Sequence, residues 1–186
     1  MNDSSPWKTL SSDVIYDNDW IRLVEDQVIN PAGKAGVYGK VCFKSQAVGI
    51  IPLDDDGNTY LVSQYRYTLS ERCWEIPMGG SPLNEDCLLT AHRELEEETG
   101  LCASKMQKIQ RLHTSNSITD EEGFVFLATG LSKGKQQLED SELDMQIKKL
   151  PLDEAVAMAQ NGEITDAISI AGLLFVALNK KSLGLI

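Results

Sequence analysis

The chain has 186 residues, with 42% apolar and 24% charged, which fits one globular domain with a sizeable core. Its 28 acidic against 17 basic residues give a net charge of −11, which argues against a nucleic-acid backbone as partner and suits a site that gathers divalent cations. No apolar run of about eighteen residues is present to span a membrane, and the start MNDSSPWKTL lacks a basic stretch followed by an apolar one, so no signal peptide is expected.

The first third reads as strands. Trp20–Val24 alternates, and Gly36–Phe43 follows the turn residues Asn30-Pro-Ala-Gly33. Ala47–Leu53 and Thr59–Tyr67 flank Asp54-Asp-Asp-Gly-Asn58, a pattern that predicts a hairpin whose aspartates form a polar tip. Trp74–Met78 is short and apolar and ends at Gly79-Gly80. From Asn84 the period becomes helical through Leu88, Ala91, Leu95 and Thr99, with Gly100 placed as a C-terminal cap. Strands are expected at Lys105–Leu112, Gly123–Thr129 and Met145–Leu150, with a polar segment Ser132–Asp144 between the last two. Helices are expected at Leu152–Asn161 and Thr165–Lys180, with Asp166 near the start of the second. The four cysteines, Cys42, Cys73, Cys87 and Cys102, include no C-x-x-C pair and form no zinc pattern with His92 or His113. They read as small core residues of a protein in the reducing cytoplasm.

The acidic helix, from about Glu85 to Thr99, carries the chemistry. Glu94 and Glu98 are four apart and Glu97 lies beside them, so three carboxylates share one side. Like charges at this spacing repel, and a hard cation that prefers oxygen ligands would offset that repulsion. Arg93 stands four before Glu97 and is placed to pair with it, while Glu96 points elsewhere, to solvent. Glu85 sits near the helix start, where the dipole favours an anion. An exposed acidic helix with a single Arg–Glu pair would show the same charge, so charge alone does not decide.

The spacing does. Gly79, Glu85 and then Arg93-Glu94-Leu95-x-Glu97-Glu98-x-Gly100-Leu101 match the Nudix box at nine specified positions over 23 residues. The chain therefore resembles the Nudix hydrolases, which implies an α/β fold: an α/β/α sandwich with a mixed sheet. Gln64-Tyr-Arg-Tyr67, Glu75-Ile-Pro-Met-Gly79, Phe126–Leu131 and Gly162–Ala171 resemble the branch of ADP-ribose pyrophosphatases and nucleoside-diphosphate-sugar hydrolases. One loop departs from that branch: His113-Thr-Ser-Asn-Ser-Ile-Thr-Asp-Glu121 has Asn116 where a proline is usual, which widens the expected substrates from ADP-ribose to nucleoside diphosphate sugars.

The resemblance implies Mg²⁺, with Mn²⁺ as an alternative, held by Glu94 and Glu98, by Glu97 directly or through its neighbours, and by the Met78 carbonyl. Gly79, Glu85, Arg93 and Gly100 would shape the motif. The general base would be Glu121, with Asp120 and Glu122 beside it as alternatives. Arg66, Glu75 and Trp20 are candidate substrate contacts. Against these stand plainer readings, a surface ion pair for Arg66 and a core position for Trp20. The resemblance also implies an N-terminal antiparallel β arm over 1–46 that dimerises, ahead of a catalytic domain over 47–186. The expected reaction is metal-dependent hydrolysis of the pyrophosphate linkage of a nucleotide-sugar to a nucleoside monophosphate and a sugar phosphate. Rival readings are a Nudix enzyme acting on a dinucleoside polyphosphate, a nucleoside triphosphate or coenzyme A, and a non-catalytic sensor of nucleotide-sugars.

Overall fold

The computed structural model describes residues 5–185. The chain divides into two units, one made of residues up to Ser45 together with 113–121, the other of 46–112 and 122 onward.

The arm unit is a three-stranded antiparallel sheet in the order β1 (Lys8–Asp17), β2 (Ile21–Ile29), β3 (Ala35–Phe43). Every residue of β1 is exposed, so its sequence carries no half-buried alternation and no strand was expected there. Its order comes from the ladder to β2. Trp20 was expected within a strand and lies instead in the β1–β2 turn, 71% exposed, so it is not a core residue. Segment 113–121 lines up along β3: Val41 N–H donates to Ile118 O at 2.9 Å, and Asp120 N–H donates to Val41 O at 3.2 Å.

The second unit carries the expected sandwich. β4 (Ser45–Pro52) runs parallel to β9 (Glu122–Lys133) in a four-stranded sheet ordered β7 (Met78–Pro82), β4, β9, β8 (Leu101–His113). β5 (Asn58–Arg66) pairs antiparallel with both β6 (Glu71–Glu75) and β10 (Gln146–Pro151) in a second sheet. Alternating side chains separate two cores. Val48, Ile50, Phe124 and Phe126 pack with Ala91 and Leu95 of α1 (Cys87–Thr99). Ile51, Val125 and Leu127 pack on the side of α2 (Leu152–Asn161) and α3 (Ala167–Leu178). A fully buried side chain such as Leu95 or Ile51 contributes roughly 1.5–3 kcal/mol.

Three expectations need correction. The hairpin about Asp54–Asn58 exists only at its tip, where Leu53 and Thr59 form one bridge and Asp54 N–H donates to Asn58 O at 3.0 Å. Beyond that bridge β4 and β5 diverge into different sheets, because each finds a longer ladder elsewhere. Leu88 is exposed, and the inward face of α1 is instead Cys87, Thr90, Ala91, Glu94, Leu95 and Glu98. Only Cys73 and Cys87 are buried; Cys42 and Cys102 are partly exposed, and all four are free. Among the described residues, no helix is long and apolar enough to cross a membrane.

Candidate active site

Helix α1 begins where Asp86 Oδ1 accepts the Leu88 N–H at 2.9 Å, and ends at Gly100, whose φ of 68° is the left-handed conformation that glycine adopts without strain. These caps fix the rotation that turns Glu94 and Glu98 inward. Glu98 is fully buried. Its Oε2 accepts the Met78 N–H at 2.9 Å, whereas its Oε1 is buried with no hydrogen-bond partner. Glu94, 7% exposed, lies against Gly79, and a Cβ on that glycine would fall inside the Glu94 carboxylate. Any side chain at 79 would therefore displace the Glu94 carboxylate.

A single guanidinium answers the repulsion along this face. Arg93 Nη1 pairs with Glu97 Oε2 at 2.7 Å, and Arg93 Nη2 pairs with Glu94 Oε1 at 2.7 Å. Glu98 has no such partner. Burial first, then the charges of Glu94 and Glu142, push its pKa up to about 9. Burial pushes Glu94 up to about 7, with Arg93 opposing and Glu97 adding to the rise. Glu85 is a structural tie: its Oε1 accepts the Thr90 hydroxyl at 2.7 Å, joining the loop before α1 to the helix. Glu96, expected at the solvent surface, accepts the Lys135 N–H at 3.1 Å.

Among the described residues, no three His, Cys, Asp or Glu side chains converge as a ready-made metal cage. Arg93 draws Glu97 aside, leaving two inward carboxylates. The donor set still fits a divalent cation. A fully buried carboxylate oxygen without a donor has a lone pair left to coordinate, and two inward carboxylates that burial makes costly to ionise are relieved of that cost when a cation lies beside them. Few protein carboxylates, with substrate phosphates completing the shell, is the arrangement Mg²⁺ prefers.

The candidate substrate contacts separate. Arg66 and Glu75 hold each other: Arg66 Nε donates to Glu75 Oε1 at 2.8 Å and Nη2 pairs with Oε2, a fork in which Glu75 is 3% exposed. This is the ion-pair reading of Arg66, in a buried form. Trp20 lies in the arm unit, as does Glu121, whose Oε2 accepts the Thr114 hydroxyl. Its neighbours are more heavily engaged. Asp120 Oδ1 accepts the Phe43 N–H at 2.8 Å, and Glu122 pairs with Arg111 and accepts from Gln46 Nε2 at 3.1 Å.

Comparison with known proteins decides the family. A NUDIX domain profile matches residues 44–171, and the profile of a nucleoside diphosphate sugar hydrolase N-terminal domain matches residues 7–41. The chain is a Nudix hydrolase. It is 39% identical over 176 residues to an ADP-ribose pyrophosphatase of Mycobacterium tuberculosis (strain ATCC 25618 / H37Rv), covering 91% of this chain and 83% of that one. It is 32% identical over 175 residues to an ADP-ribose pyrophosphatase of Bacillus subtilis (strain 168), covering 93% and 94%. A crystal structure of an ADP compounds hydrolase superposes with a TM-score of 0.86 at 18% identity, over 97% of both chains, which shows the shared fold.

A segment outside the Nudix box also binds its helix. The polar segment after β9 is laid across the C-terminal turn of α1: Gly134 N–H donates to Gly100 O at 2.8 Å, Gln137 N–H to Glu97 O at 2.9 Å, and Gln136 Nε2 to Glu98 O at 2.8 Å. These donors satisfy carbonyls that a helix end otherwise leaves open. The strap leads into a short 3₁₀ turn, Asp140–Glu142, and the charge of Glu142 acts on both Glu94 and Glu98. The sequence around Glu142 is acidic and aperiodic, and only the strap's bonds to α1 bring it into play.

Proposed function

We propose that this Nudix hydrolase cleaves the pyrophosphate linkage of nucleoside diphosphate sugars, ADP-ribose and GDP-mannose among them, to a nucleoside monophosphate and a sugar phosphate. Two relatives that align along almost the whole chain and act on ADP-ribose by name support the substrate class. The observation that carries the chemistry is the buried, partnerless Oε1 of Glu98 beside Glu94 on the box helix. We assign Glu94 and Glu98 as the protein's carboxylate ligands to Mg²⁺ or Mn²⁺, joined by the Met78 carbonyl, with Glu97 acting through its pair with Arg93. Bound there, the cation would neutralise phosphoryl charge and lower the pKa of the attacking water. Arg93 keeps Glu94 and Glu97 in register, and the Met78 amide fixes which Glu98 oxygen turns outward.

For the general base we carry two assignments. Glu121 follows from the resemblance, and one of its oxygens accepts the Thr114 hydroxyl. Glu142 is favoured by a separate observation, the strap whose bonds to the last turn of α1 lead straight into its turn within the same unit. Replacing each by glutamine decides between them: the base variant loses kcat with little change in KM, and the other does not.

We further propose a homodimer built through the arm, since Leu10, Val14, Ile15 and Tyr16 of β1 are all more than half exposed, an unusual density of apolar surface for one strand. The four free cysteines support a cytoplasmic location. Trp20 remains our candidate for base stacking, and Arg66, with Glu75 holding it, our candidate for substrate oxygens.

The deciding experiment is a panel of ADP-ribose, GDP-mannose, UDP-glucose, diadenosine polyphosphate and coenzyme A, with Mg²⁺ and with EDTA. Metal-dependent cleavage of the sugar-linked members supports the reading. Cleavage of only the others moves it elsewhere among Nudix hydrolases, and tight nucleotide-sugar binding without turnover makes the protein a sensor.

A further inference from the structure

The crossing from β6 to β7 carries two site contacts on one short run. Glu75 at its start holds Arg66, and Met78 at its end donates to Glu98. Between them Ile76 belongs to neither strand and is fully buried, so its N–H can reach neither a ladder partner nor water. It donates instead to Ser169 Oγ at 3.0 Å. Ser169 is itself fully buried, on the first turn of α3. Its hydroxyl donates to Asp166 Oδ2 at 2.7 Å, and its backbone N–H donates to the same oxygen at 2.7 Å.

An N-cap residue satisfies its helix with the backbone bond alone. The second bond from Ser169 uses the hydroxyl's only proton and so turns a lone pair toward Ile76. The next residue is held as well, since Pro77 O accepts the Ile50 N–H at 2.8 Å. The Gly162–Ala171 segment, which the Nudix box does not include, thus carries a hydroxyl that holds the link between β6 and β7.

We infer that Ser169, oriented by Asp166, is a positioning residue that sets the register of Glu75–Met78, and through it the Met78 contact to Glu98 and the Glu75 hold on Arg66. Its catalytic consequence rests on the proposed function. Its effect on metal binding rests on the metal site assigned there, and its effect on the backbone of Glu75–Met78 rests on neither.

The test compares Ser169→Ala with Val176→Ala, a cavity in the same helix at a fully buried position with no polar link to the strand. Thermal midpoint, Mn²⁺ affinity, and amide exchange at Ile76 and Met78 are measured on both. Ser169→Ala is expected to weaken Mn²⁺ binding by roughly tenfold or more, the usual effect of removing a group that orients ligands, and to speed Met78 exchange. Val176→Ala is expected to match or exceed its loss of thermal midpoint while leaving Mn²⁺ affinity near that of the parent. Unchanged Mn²⁺ affinity and Met78 exchange in Ser169→Ala, or an equal affinity loss in Val176→Ala, overturns the inference. If Ser169→Ala does not fold, Ser169→Cys, a weak acceptor of similar size, replaces it with the same expectations. Should the parent protein cleave nothing on the substrate panel, the proposed function fails while these binding and exchange measurements still decide the role of Ser169.

Discussion

Glu98 stands where a carboxylate is costly to place. Taking an ionised carboxylate out of water costs several kcal/mol even in a relaxed protein, and here one oxygen receives only a backbone N–H and the other nothing. Glu98→Gln keeps the shape and removes the charge. It is expected to fold normally and to lower metal-dependent turnover by about 10²-fold or more, since metal ions contribute several kcal/mol and each 1.4 kcal/mol is tenfold. Full activity in that variant, by product release with Mg²⁺, would place the metal elsewhere. Gly79→Ala tests the same site from the other side. Its Cβ would occupy the Glu94 carboxylate, so both Mg²⁺ affinity and kcat should fall, with a stability loss of about 1–3 kcal/mol from overpacking by chemical denaturation.

At the scale of the element, α1 stores a pH dependence. Glu98 has a folded pKa of about 9 against 4.5 for the free side chain, and Glu94 about 7. Both are raised, so in the metal-free protein their contribution is fully present below pH 4.5 and is lost as pH rises, through about 7 for Glu94 and about 9 for Glu98. The thermal midpoint in EDTA should therefore decline more steeply over that window in the parent than in Glu98→Gln. Mg²⁺ should flatten the difference, because ligation replaces the retained protons. Equal slopes in EDTA would mean that Glu98 is ionised without metal. Much of α1 was legible in the sequence, since its caps and charge spacing are local. Its inward face was only half read. Leu88 fits the helical period but points to solvent, while Thr90, Glu94 and Glu98 take inward places that their polarity would deny them.

For the whole molecule, local signals located strands well and partners poorly. The turn at Asp54–Asn58 formed as its residues require, yet the strands it joins went to different sheets, because ladder partners are chosen by the rest of the chain. β1 was invisible because all ten of its residues are exposed, leaving no burial pattern to read. That exposure sets the prediction at this scale. Val14→Asp with Ile15→Lys should convert the proposed dimer to a monomer by light scattering while leaving the second unit folded. A protein that is monomeric before substitution would remove the dimer reading. Glu142 was unreadable for another reason: its segment has no period, and only backbone bonds to α1 give it a place.

Those bonds have a consequence for how the gene can vary. Gly134, Lys135 and Gln137 reach α1 through their backbone N–H groups, which nearly every amino acid has. At Lys135 and Gln137 the side chain can therefore change without moving the turn that follows, whereas Gln136 donates through its own amide to Glu98 O and a side chain at Gly134 would meet Cys102 and Glu96. Proline is the exception, having no N–H to give. Gln137→Pro should cripple turnover where Gln137→Ala is silent, so the stretch is selected for what it must not contain.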